Sequence, residues 1–146
     1  MKVDLAAIDA CYELALQSYD EGGLPIGSVL WRDGKIVARG HNRRVQLGNP
    51  ILHGEMDCLQ AAGRQQSYRD TALYTSLSPC MMCAGTIVQF KIPAVVICDH
   101  VNFGGNEDFL TTRGVKVILA DDQRCIDLMQ RFIREKPLLW KEDIAE

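Results

Sequence analysis

No uninterrupted apolar run in this 146-residue chain approaches the roughly 20 residues of a membrane-spanning helix, which argues against a membrane partner. Basic tracts are equally scarce. The densest Lys/Arg group is Arg43-Arg44 and the net charge is −3, so the electrostatic footprint of a dedicated nucleic-acid binder is missing. Met1-Lys2-Val3-Asp4 begins a helical pattern rather than a secretory signal, and a cytoplasmic location with reduced thiols is expected. The chain shows no internal repeat, low-complexity segment or linker. Its 47% hydrophobic and 24% charged content is that of an ordinary globular protein, and its length suits one domain over residues 1–146.

What is present has clear periodicity. Leu5, Ile8, Tyr12, Ala15, Leu16 and Tyr19 recur at helical spacing, and Gly22-Gly23 stops the helix. Residues 26–32 and 35–41 read as strands joined by the hairpin turn Asp33-Gly34. Residues 42–52 have no clear period and read as a loop. A helix from Gly54 to about Arg64, a strand over 71–77 and a helix over 81–90 follow. Ala94–Cys98 is a continuous apolar strand, 99–114 is loop-rich with a short helical turn near Phe109, and Val115–Ala120 is the last strand. Asp121-Asp122 caps a helix running to about Arg134, and Pro137 interrupts it before a short tail. This order predicts an α/β layered fold with its last three strands parallel.

Two short segments carry chemistry. His53-Gly54-Glu55 precedes one predicted helix, and Pro79-Cys80-Met81-Met82-Cys83 opens another. Cys80 and Cys83, one helical turn apart, can present both sulfurs to one ion, and helix starts favour thiolates. A structural zinc site closes its four positions with Cys and His; His53, Cys80 and Cys83 leave the fourth for water. No further Cys or His pair is placed to close it, since His41 and His100 stand alone and read as structural. Glu55 remains as a carboxylate not spent on the metal, positioned to shuttle protons. This H-x-E…P-C-x-x-C arrangement is the signature of zinc-dependent nucleobase deaminases. Of the other cysteines, Cys11, Cys58 and Cys98 lie in apolar segments and read as core residues; Cys125 follows a charged turn.

Beyond this signature, the chain resembles the fungal-type cytosine deaminases, free-base enzymes of the cytidine deaminase superfamily. The likeness runs through Glu21-Gly22-Gly23, Pro25-Ile26-Gly27, Arg39-Gly40-His41-Asn42 and Arg44. It continues through Leu52-His53-Gly54-Glu55, Leu73-Tyr74-Thr75, Leu77-Ser78-Pro79-Cys80 and Val101-Asn102-Phe103, and ends in Trp140 and Glu142-Asp143-Ile144. It implies a three-layer α/β/α fold around a five-stranded mixed sheet, one Zn²⁺ per chain and a homodimer. It assigns His53, Cys80 and Cys83 to zinc and Glu55 to proton transfer. It also implies that Asn42, the Gly54 backbone and Asp143 hydrogen-bond the pyrimidine, that the Ser78 carbonyl meets the leaving amino group, and that Phe103 and Trp140 stack on the base or close over it. Ile26 and Leu77 would be apolar walls. Read from the residues alone, Trp140 is as well explained as a packing anchor, Asp143 as a solvent-facing charge and Phe103 as a tucked loop residue.

Two positions depart from that pattern. Val45 stands where the family has an aromatic ring, which predicts a missing piece of pocket wall and room for a bulkier base. Met81 replaces an acidic residue between the two cysteines and is expected to face away from the metal. The resulting expectation is hydrolytic deamination of cytosine. The alternatives are deamination of a substituted cytosine, isocytosine, guanine or a nucleoside, and a non-catalytic zinc-stabilised binding module.

Overall fold

The computed structural model describes residues 1–146. The amphipathic start of the chain forms helix α1, Leu5–Asp20, whose first turn is capped by the Asp4 carboxylate accepting from the Ala6 N–H. Strands β1 (Gly27–Arg32) and β2 (Lys35–His41) follow as a hairpin. Asp33 and Gly34 turn it with φ of 52° and 77°, the positive values that match the twist of the flanking strands. Strand β3 (Thr71–Thr75) and strand β4 (Ala94–Ile97) are buried along their whole length, whereas β5 (Lys116–Leu119) is a half-exposed edge. The five strands form one sheet in the order β2-β1-β3-β4-β5. β1 is antiparallel to β2 and β3, and β3, β4 and β5 run parallel as expected.

Side-chain alternation along these strands creates the layers. Leu30, Leu73, Val95 and Ile97 point to the face covered by helices α3 (Gly54–Ala62), α4 (Met81–Gln89) and α5 (Glu107–Thr112). Val29, Tyr74 and Val96 point to the opposite face, where α1 and α6 (Gln123–Glu135) pack. Cys58 is fully buried on the first face, and Cys11, Cys98 and Cys125 are buried on the second, so Cys125 joins the core cysteines. A third apolar cluster, built on Leu24, Ile26, Leu77, Met129, Phe132 and Trp140, closes one end of the molecule.

Two segments differ from the sequence reading. The stretch read as loop over 42–52 contains α2, Arg44–Leu47, ended by Gly48 at φ 60°. A single turn is too short to leave an apolar period. The tail is helix α7, Pro137–Asp143: Pro137 stands at the first turn, where its missing N–H has no intrahelical partner to lose. It both ends α6 and starts α7.

The site is positioned by a close approach at Gly40. A Cβ there would lie 2.2 Å from the Cys58 N and 2.6 Å from its Cα, so β2 touches the backbone of α3 directly. Gly40→Ala is expected to destabilise the protein by about 3 kcal/mol, because backbone rather than a mobile side chain must move. Urea unfolding measures this, and an unchanged midpoint would show that α3 is not held so tightly.

Candidate active site and metal centre

The carboxyl ends of parallel strands leave a crevice that α/β proteins use for ligands, and here β3 and β4 supply it. Because β1 is antiparallel to β3, the start of β1 lies at the same end, which brings Ile26 beside Leu77. His53 is the N-cap of α3 and Cys80 the N-cap of α4, both extended, and neither side chain caps its own helix. They face each other instead: His53 Nδ1 is 3.4 Å from Cys80 Sγ. One donor atom from each of His53, Cys80 and Cys83 lies within 4.8 Å of the other two, and no other three such side chains gather this way. Two sulfurs and an imidazole nitrogen are a donor set suited to zinc, so the residues fit the metal. His53 Nε2 points the other way, 3.5 Å from Asp143 Oδ1, a charge contact rather than a hydrogen bond.

The charges are arranged to receive a cation. The Cys83 thiol hydrogen-bonded to Cys80, with His53 beside it, outweighs burial and brings the Cys80 thiol down to about 4. The same contact and burial drive Cys83 well above its ordinary value. Burial pulls His53 down, but its contact with Cys80 and the charges of Asp143 and Glu55 lift it to about 9. Glu55, in the first turn of α3 and nearly inaccessible, is raised to about 7 by burial and then by the neighbouring Cys80 charge, against the opposing pull of His53. In the metal-free site this carboxyl is therefore held well above the ordinary carboxylate range.

A cavity of about 490 Å³ opens on this cluster. Of the residues the sequence singled out, Ile26, His53, Glu55, Leu77, Ser78, Cys80, Phe103 and Asp143 line it. Asn42 lies behind the wall, fully buried, its Oδ1 accepting from the Arg44 N–H at 2.9 Å and its Nδ2 without a partner. Gly54 backs onto Ile26, where a Cβ would sit 3.1 Å from the Ile26 carbonyl. Trp140 is not on the cavity wall. It is buried in the end cluster, with its ring edge-to-face with Phe103 at 6.2 Å, so it supports Phe103 from behind and fits the packing-anchor reading.

Val45 lies on the outer side of α2, 38% exposed, and is not part of the wall; Arg44 and Pro50 are the residues of that stretch that reach the cavity. Met81, expected to turn away, lines the cavity at its mouth with half its surface exposed. Sequence reasoning assigned no role to Arg44, Glu142 or Asn106, which also line it. Arg44 and Glu142 belong to the family pattern with no role attached, and Asn106 carried no signal of its own. A larger groove of about 680 Å³ lies on the outer side of α3 and α4, beside the stacked rings of Tyr68 and Phe90, but none of the metal-ligand residues faces it. The chemistry belongs to the smaller cavity.

An open three-donor metal centre at two helix starts, with a buried carboxylate beside it and an α/β/α frame around it, defines a metal-dependent hydrolase of the deaminase kind. The comparison with known families agrees: residues 1–99 match the model of the cytidine and deoxycytidylate deaminase zinc-binding region, and the chain belongs to that family of zinc-dependent deaminases. Among curated proteins, a cytosine deaminase of Candida albicans is 47% identical over 98% of this chain and 97% of its own length. A tRNA-specific adenosine deaminase of Streptococcus pyogenes is 34% identical over 83% of this chain and 84% of its own. The fold is shared with the guanine deaminase of Nitrosomonas europaea, at a TM-score of 0.76 and 20% identity over 90% of this chain and 85% of that one.

Proposed function

We propose that the protein hydrolyses a free pyrimidine base, cytosine to uracil and ammonia, with Glu55 as its proton carrier. The observation that carries this reading is Glu55 buried beside the His53, Cys80 and Cys83 donor set, in a cavity that Asp143 lines and behind whose wall Asn42 Nδ2 has no hydrogen-bond partner. The similarity to a cytosine deaminase along nearly the whole chain supports the choice of base.

His53, Cys80 and Cys83 would hold a zinc ion, which when bound would supply a water acidic enough to lose a proton near neutral pH. Glu55 takes that proton and delivers it to ring nitrogen N3, which makes the amino-bearing carbon electrophilic enough to add oxygen. Glu55 then carries the proton of the added hydroxyl to the amino nitrogen; the carbon–nitrogen bond breaks, ammonia leaves, and the carbon–oxygen bond becomes the uracil carbonyl. The Ser78 carbonyl receives the departing amine. Asn42 Nδ2 and the Gly54 N–H donate to the base carbonyl. Asp143 accepts from the N1–H, a donor that only the free base has, since a nucleoside carries its sugar there. Phe103 lies against the ring, backed by Trp140.

The same reading takes residues 1–146 as one deaminase domain, acting as a homodimer on a small base rather than on nucleic acid. A cytoplasmic location fits ligating thiolates that must stay reduced. No helix is long and apolar enough to cross a membrane. Sedimentation tests the dimer.

An ammonia-release screen over cytosine, 5-substituted cytosines, isocytosine, guanine and cytidine tests the substrate. Cytosine is expected to be turned over and cytidine to be rejected; no turnover of cytosine would remove the proposal. Asp143→Asn is expected to raise KM for cytosine by about a hundredfold, because the amide offers a donor toward the N1–H.

A further inference from the structure

Phe103 reaches the cavity from an irregular stretch between β4 and α5, and something must hold it there. Asp99, two residues beyond the end of β4, is completely buried. Its Oδ1 accepts from the Val101 N–H at 2.8 Å and the Asn102 N–H at 3.1 Å, and its Oδ2 accepts from Asn102 Nδ2 at 2.7 Å. Asn102 Nδ2 also donates to the Ile126 carbonyl on α6 at 3.1 Å. The main chain of Asp99 faces the other wall: its carbonyl accepts from the Ser78 N–H at 2.8 Å. The stretch is tied down again where it ends, by Asn106 Nδ2 donating to the Pro79 carbonyl at 2.9 Å.

We propose that Asp99 is a positioning residue for the deamination, holding Phe103 in register with Ser78 across the cavity; this rests on the function proposed above. A buried carboxylate is costly unless its lone pairs are filled, and the donors that fill these three all belong to the two residues immediately before Phe103. The side chain therefore converts its own desolvation into order at 101–102. The backbone bond to Ser78 transmits the position of β3 to the same residue. Between the two ties, Gly104 and Gly105 (φ +108° at the latter) add no side chain that would steady Phe103 from its far side. Without the Asp99 carboxylate, Phe103 would be held by the apolar end cluster around Trp140, by the Asn102–Ile126 bond and by Asn106, none of which fixes the backbone of 101–102 directly.

The test uses Asp99→Asn, which keeps size and one acceptor but sets an amide donor against Asn102 Nδ2. Asn102→Ala serves as the second variant should the first not fold, since it deletes the same Oδ2 contact from a less buried position. Hydrogen exchange followed by mass spectrometry needs no substrate: peptides over 101–106 are expected to exchange about tenfold faster in the variant, with other peptides unchanged. Kinetics, run on whichever base the screen identifies, are expected to show KM raised about tenfold and kcat within about threefold of the parent. In a Phe103→Ala background the same substitution should change KM by less than about twofold, since its effect passes through that ring. A merely structural role would lower stability without this coupling. Unchanged exchange over 101–106, or an equal KM factor in both backgrounds, would overturn the proposal. Absence of cytosine turnover by the parent would instead count against the substrate assignment and leave the exchange result to decide the tether.

Discussion

Glu55→Gln is expected to lower turnover by roughly a thousandfold or more while the protein still binds one zinc per chain. The amide preserves shape and packing at the start of α3 but can neither take a proton nor pass one to the ring. Steady-state ammonia release and metal analysis of the same preparation check it, and near-normal turnover would exclude Glu55 from the reaction. The variant should also reveal what the carboxylate costs the fold. Burial raises the Glu55 carboxyl from its ordinary 4.5 to about 7 in the metal-free site. Between those values the folded chain holds a proton that the unfolded chain has released, so metal-free stability falls as pH rises from 4.5 to 7. The loss is complete above that range. Metal-free Glu55→Gln should then be more stable than the parent at pH 8, by on the order of 1–3 kcal/mol, and the difference should shrink toward pH 4. Urea unfolding in chelator at the two pH values measures it.

Cys80→Ala is expected to abolish both zinc uptake and ammonia release. In the parent, zinc at a hundredfold excess over its dissociation constant should add about 2.7 kcal/mol of stability; the variant should gain almost none. Cys80 is already a thiolate near neutral pH, whereas His53 and Cys83 hold their protons. Zinc uptake at pH 7 should therefore release roughly two protons, visible as a binding enthalpy that depends on the buffer's own ionisation heat. Chelation followed by zinc should restore parental activity. A variant still active without bound metal would contradict the metal centre as the source of the reaction.

How much of this was legible in the sequence follows the range of the interactions. The hairpin at Asp33-Gly34 is a matter of two backbone angles, and the Cys80–Cys83 pairing a matter of one helical turn; both depend on neighbours in the chain. The continuous apolar run of β4 announced a buried parallel strand. α2 escaped notice because four residues cannot express a period. Pro137 read as a breaker because a proline that ends one helix and starts the next looks the same in both roles. At the cavity, Ile26, Leu77, Ser78, Phe103 and Asp143 line the wall, whereas Val45 and Trp140 do not. Their side-chain directions depend on how α2 and α7 pack, and no local pattern encodes that.

The sequence by itself determined which residues can bind zinc, which carboxylate beside them is not spent on the metal, and which segments become strands and helices. Those properties reside in side-chain type, capping and spacing, where the physics spans a few residues. Only the tertiary structure decided that His53, Cys80 and Cys83 come within 4.8 Å of one another, that Asp143 returns from the end of α7 to the His53 ring, and that Trp140 stands behind Phe103. It also decided that Asp99 ties the two walls together. These relations join segments far apart in the chain. They are set by the burial of apolar faces on both sides of one sheet and by the saturation of buried polar groups, and those are properties of the packed whole.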